Sequence, residues 1–217
     1  MGFGIFGKLP QKRDFVAIDI PYAVLNPFET WLQSAVAASR SELGRQWEER
    51  YLVAPIWRFW VGHGVFGQLA AGALMPSVDK VGRFFPLSII YTGASGEESA
   101  PPPIAPRDAW YETLEARLLT ALDEEAATPP ESLASGLPAF DRATELRPAG
   151  SAPFEGVADF MSGLVQSDYW SAAATRSFWW TAGGGGGEPI AHASAGLPDP
   201  YFFSRMVMTT QWQAAAG

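Results

Sequence analysis

Apolar positions recur at two periods along the chain. Phe3–Phe6 is a short aromatic and aliphatic run bracketed by glycine, and it predicts a first strand over 3–7. Ile56-Trp57-Arg58-Phe59-Trp60-Val61 is aromatic, β-branched and too short for a lone helix, so 56–61 reads as a strand. Leu69–Met75 carries small residues and reads as a strand or a short helix, with the strand preferred. The run 84–91 is a strand beginning near Pro86, and Phe178-Trp179-Trp180 places another over 177–181. Helical spacing appears in Phe28, Trp31, Leu32, Ala35 and Val36, with Asn26 as the expected N-cap and Pro27 at the first position. A break at Gly44 precedes a second helical piece through Trp47 and Tyr51. The clearest helix is 107–125, with Trp110, Leu114, Leu118, Ala121 and Leu122 on one stripe and acids opposite. Further helices are expected around 138–144, over 157–166, and from Asp199 and Pro200 through Trp212.

These elements predict one α/β domain over 1–217, a three-layer α-β-α arrangement around a mixed, mainly antiparallel sheet. The Gly- and Pro-rich stretch 93–106 reads as a loop or linker. The segment 182–190, with five consecutive glycines at 183–187, reads as a flexible loop.

Composition narrows the function. The 217 residues are 47% hydrophobic and 13% aromatic, which excludes a disordered chain. There is no cysteine, which removes disulfides, thiolate metal sites and a cysteine nucleophile. The net charge of −8 argues against nucleic-acid binding. No apolar stretch approaches the length of a bilayer span, and no secretory signal opens the chain, so a cytoplasmic location is expected. The acidity is local. Residues 91–160 carry thirteen acids against four arginines, and the rest is close to neutral. Such a run reads first as a solvated helix face and second as a docking surface for a basic partner.

Catalytic motifs lack their context. Gly2-Phe3-Gly4-Ile5-Phe6-Gly7 matches a dinucleotide fingerprint, but no strand precedes it and no helix opens after it. Ser77-Val78-Asp79-Lys80 matches S-x-x-K without the companion elements of penicillin-recognising enzymes. His63 and His192 are the only histidines, and neither has metal-ligand spacing, so no metal and no cofactor is expected. Asp14, Asp79, Arg58 and Arg83 sit in apolar or Gly/Pro surroundings, where charges are seldom buried unless paired. A structural pair of Asp79 with Arg83 or Arg58 is the default expectation.

Three segments together resemble one family. They are Phe6-Gly7-Lys8-Leu9-Pro10-x-x-x-Asp14-Phe15-Val16, then Ala54–Trp60 leading to Gly72–Leu87, and then Ser177–Thr181. The middle one holds the long, specific Met75-Pro76-Ser77-Val78-Asp79-Lys80-Val81-Gly82-Arg83. This pattern is similar to TagF, an accessory protein of the bacterial type VI secretion system, over most of the chain. One position departs from it: the family usually has glycine before Asp-Phe-Val, where this chain has Arg13. A positive φ there would be harder for arginine to adopt.

The resemblance implies regulation. TagF-like proteins repress type VI secretion post-translationally and are thought to act through a forkhead-associated scaffold protein of the apparatus. In some bacteria a similar domain is fused to a PP2C-type phosphatase, which these residues do not supply. The expected protein is therefore a non-enzymatic binding module. The loops 7–15 and 75–86 supply candidate binding residues Lys8, Pro10, Asp14, Phe15, Ser77, Asp79 and Arg83, and Arg58 joins them from the neighbouring strand. The same residues also suit a core role with internal charge pairing. Two other readings stay open: a hydrolase using Ser77 and Lys80, or a carboxylate from Asp14 and Asp79, and a structural assembly factor. The sequence sets no oligomeric state and no strand order.

Overall fold

Among the described residues, seven strands form one sheet in the order β2-β1-β5-β4-β3-β6-β7. The structure is a computed structural model and describes residues 1–122, 129–142, 156–183 and 188–208. The strands are β1 Gly2–Gly7, β2 Val16–Ile18, β3 Trp57–Val61, β4 Gln68–Met75, β5 Leu87–Ser95, β6 Arg176–Thr181 and β7 Ile190–Ala195. Every pairing is antiparallel, so the sheet expected to be mainly antiparallel has no parallel pair among the described residues. The helices are α1 Tyr22–Leu43, α2 Trp47–Leu52, α3 His63–Phe66, α4 Asp108–Thr120, α5 Val157–Ala173 and α6 Phe202–Met208.

The alternation along each central strand divides the core in two. Trp57, Phe59 and Val61 of β3, Phe6 of β1, Ile90 of β5 and Trp179 of β6 pack with α1, α2 and α6. Their neighbours Trp60, Ile5, Ile89, Tyr91 and Phe178 pack with Trp110, Tyr111, Leu114 and Leu118 of α4. The result is three layers, because successive side chains of a strand point to opposite faces. Three of the deep tryptophans find an acceptor for the indole N–H, whereas Trp60 Nε1 is buried without one among the described residues. Trp31 Nε1 donates to the Pro198 carbonyl at 2.8 Å, Trp47 Nε1 to Ser39 Oγ at 2.7 Å and Trp179 Nε1 to Ser177 Oγ at 2.9 Å.

Several elements differ from expectation. Helix α1 starts five residues before Pro27, which lies inside it, so Asn26 is not its N-cap. Val24 is fully buried in the first core, and burying it is what extends the helix backward through Tyr22. Residues 138–142 are not helical, and a short 3-10 turn at Pro130–Ala134 stands nearby; residues 143 and 144 lie outside the described residues. Helix α5 runs to Ala173, beyond the expected 166. The expected final helix is described from Phe202 to Met208, and its remainder lies outside the described residues.

Both edge strands are additional to those expected. Three-residue β2 has no room for a pattern, and Ala-rich β7 forms by pairing with β6. The stretch 93–106, read as a linker, begins inside β5 and buries Ser99 and Ala100. The segment 182–190 ends inside β7, and residues 184–187 lie outside the described residues.

Candidate functional site

The loop after β1 and the loop between β4 and β5 meet at one end of the sheet. The second loop folds back on itself. Val78 bridges Phe84, Asp79 N–H donates to the Arg83 carbonyl at 3.0 Å, and Phe85 N–H donates to the Ser77 carbonyl at 3.0 Å. At the tip, Asp79 Oδ1 accepts the N–H groups of Val81 at 3.0 Å and Arg83 at 2.9 Å. This side-chain turn is the local reason for aspartate at that position. Gly82 closes the turn at φ 84°, a left-handed conformation that favours glycine.

Asp79 Oδ2 then joins the loops. It pairs with Lys8 Nζ and with Arg83 Nε at 2.6 Å, and its side chain is 0% exposed. Lys8 is 5% exposed at the side chain, and Arg83 is 56% exposed. Burial alone would raise the Asp79 carboxyl. The bonds from Lys8, from Arg83 and from the Val81 N–H outweigh it and hold the carboxyl well below its ordinary range.

Backbone contacts reinforce the joint. Lys80 N–H donates to the Lys12 carbonyl at 2.9 Å, and the Arg83 guanidinium donates to the Arg13 carbonyl. Ser77 Oγ donates to the Lys8 carbonyl at 2.8 Å. Phe15 stands edge-on to Phe85 at 4.8 Å, with Lys8 Nζ 4.7 Å from its ring centre. Gly7 opens the first loop at φ 134°, and any Cβ there would strike the Pro86 carbonyl. That close approach, rather than a phosphate, explains the last glycine of the Gly-rich opening.

Of the candidate residues, Lys8, Phe15, Ser77, Asp79 and Arg83 therefore converge. Pro10 and Asp14 lie in the same loop. Asp14 is exposed and forms no ion pair among the described residues. Arg58 does not join them. On β3 it faces α4, where Nε and Nη2 grip Glu115 at 2.7 and 3.0 Å and Nη1 reaches Asp108 at 3.2 Å. The Glu115 bond, against the cost of burial, strengthens its hold on its proton. The expected Asp79 pair thus forms with Arg83 and not with Arg58. Part of the acidic run is also spent internally, since Asp108 and Glu115 serve Arg58.

Tyr51 was not among the sequence candidates. Its buried hydroxyl accepts the Ser77 N–H at 3.0 Å and donates to the Ser77 carbonyl at 3.2 Å, holding the loop from below. Burial pushes the Tyr51 hydroxyl well above its ordinary pKa. No local signal marks it, because its spacing in α2 is that of any core residue. Arg13 is not among the residues of positive φ, so the missing family glycine imposes no strain. No cluster of three metal-ligating side chains occurs among the described residues, and no helix there is long and apolar enough to cross a membrane.

A three-layer α/β protein with two salt-bridged loops at one end of its sheet is the class these features define. Residues 4–137 match the TagF N-terminal domain, described as type VI secretion system-associated. The chain belongs to that family. Its structure is similar to the crystal structure of PA0076 from Pseudomonas aeruginosa PAO1, with 29% identity and a TM-score of 0.78, covering 95% of this chain and 94% of that one. No curated protein matches the chain.

Proposed function

We propose that this protein is a non-enzymatic regulator that represses type VI secretion in the cytoplasm by binding a forkhead-associated scaffold component. The observation that carries this reading is the TagF N-terminal match over 4–137, which includes both joined loops. The chemistry of the loops supports it. The Ser77 hydroxyl is engaged with a backbone carbonyl, and the Asp79 carboxylate is engaged by Lys8 and Arg83. A serine nucleophile needs a base poised to take its proton, which Ser77 gives to a backbone carbonyl instead, and a general base needs a free lone pair, whereas the Asp79 oxygens accept from Lys8, Arg83 and two backbone N–H groups.

Co-purification with the forkhead-associated protein of the same secretion apparatus tests the binding. Association, together with raised secretion on deletion of the gene and retained repression by Ser77→Ala, is the expected result. Clean absence of association with normal repression would refute sequestration. Lost secretion on deletion would favour an assembly factor.

A further inference from the structure

The joined loops carry a charge opposite to that of the whole chain. Residues 8–16 and 76–86 hold Lys8, Lys12, Arg13, Lys80 and Arg83 against Asp14 and Asp79, a local +3 on a chain of −8. Folding concentrates this charge. The Lys80–Lys12 backbone bond and the Arg83–Arg13 contact bring cations from two distant loops side by side. Lys12, Arg13 and Lys80 are exposed, and no carboxylate among the described residues pairs with them. Asp79 is already saturated by Lys8 and Arg83.

Apolar side chains stand beside these charges. Phe15 is 47% exposed and Val81 56% exposed. Phe15 is held from behind by Phe85 and Lys8, so little freedom remains to be lost when a partner covers it. A fixed ring among unpaired cations is the composition of an interface anchor rather than of a solvated loop.

We propose that this tip docks an acidic segment of a protein partner, with Lys12, Arg13 and Lys80 facing its carboxylates and Phe15 and Val81 covering its apolar side chains. Charge complementarity identifies the occupant: the patch is +3, while the acids that make the chain −8 lie in 91–160, outside it. The proposal rests on the regulatory reading only for the identity of the partner.

Two probes separate the proposal from that reading. One is the forkhead-associated protein of the apparatus; the other is a short synthetic peptide alternating glutamate and leucine. Calorimetry and amide shifts of 12–15 and 80–83 are read at low and moderate salt. The triple variant Lys12→Glu, Arg13→Glu, Lys80→Glu is expected to weaken binding by at least about tenfold and to flatten its salt dependence. Asp14→Lys is expected to tighten it. Arg176→Glu, on β6, should leave it unchanged.

Peptide shifts at the tip without binding of the forkhead-associated protein would overturn the proposed function and uphold the docking site. Binding of that protein that ignores both salt and the triple variant would overturn the docking site and leave the proposed function. Tip binding to phosphatidylserine vesicles but not to the peptide would also overturn it.

Discussion

Asp79 shows how one carboxylate can organise two loops. Its two oxygens accept from Lys8, Arg83 and two backbone N–H groups while the side chain is wholly buried. Removing one partner of a buried pair leaves the other charge uncompensated. Asp79→Ala is therefore expected to cost about 3–5 kcal/mol, read by urea denaturation. The pH dependence has a definite sign. The folded carboxyl is held below its ordinary range, so its contribution is complete above about pH 4 and falls away as pH drops further. Wild-type stability should decline on acidification below pH about 4 more steeply than that of Asp79→Ala. Equal slopes would show that another carboxylate governs acid stability. The D-x-V-G-R pattern made this turn legible, but the third participant, Lys8, is 71 residues away in the chain. Only the fold could say that it was Lys8, and that Arg58 had gone to α4.

Helix α1 marks the point where a local signal lost to packing. Asn-Pro is a strong start signal, yet the helix begins at Tyr22 and carries Pro27 within it. Proline there supplies no N–H to the preceding turn. The surrounding helix persists because Val24, Phe28, Trp31 and Leu32 are buried against the sheet. Pro27→Ala is expected to restore the missing bond and raise stability by up to about 3 kcal/mol, measured as the shift in chemical denaturation midpoint at unchanged slope. No gain would mean that the helix is already relaxed around the ring. The strands were more legible than the helix ends. Aromatic and β-branched runs located four of them and a small-residue run a fifth, β4, whereas Ala-rich β7 and three-residue β2 exist only because a neighbour offers a ladder.

At the scale of the molecule, strand order decides which ends matter. β1 lies between β2 and β5 and pairs with β5 along its whole length, Gly2 to Gly7. It also contributes Phe6 to one core and Ile5 to the other. Removal of residues 1–7 is therefore expected to abolish the tertiary near-UV signal of the tryptophans and to expose apolar surface to a dye such as ANS. A truncated chain with an intact near-UV spectrum would show that β1 is dispensable. The same order explains the site. With β1 and β4 both flanking β5, the loop leaving β1 and the loop entering β5 emerge at one end, where Lys80 and Lys12 become neighbours.

The amino-acid sequence by itself determined the α/β class, most strands, the acidic α4 and the segments that place the chain in the TagF family. These are local properties, written in the period of apolar side chains and in short runs of unusual residues. The tertiary structure alone decided the strand order, the partner of each buried charge and the basic tip of the joined loops. Those depend on which residues far apart in the chain share a place. Buried charges accept only partners within hydrogen-bond reach, and that reach is set by the folding of the whole sheet rather than by spacing along the chain.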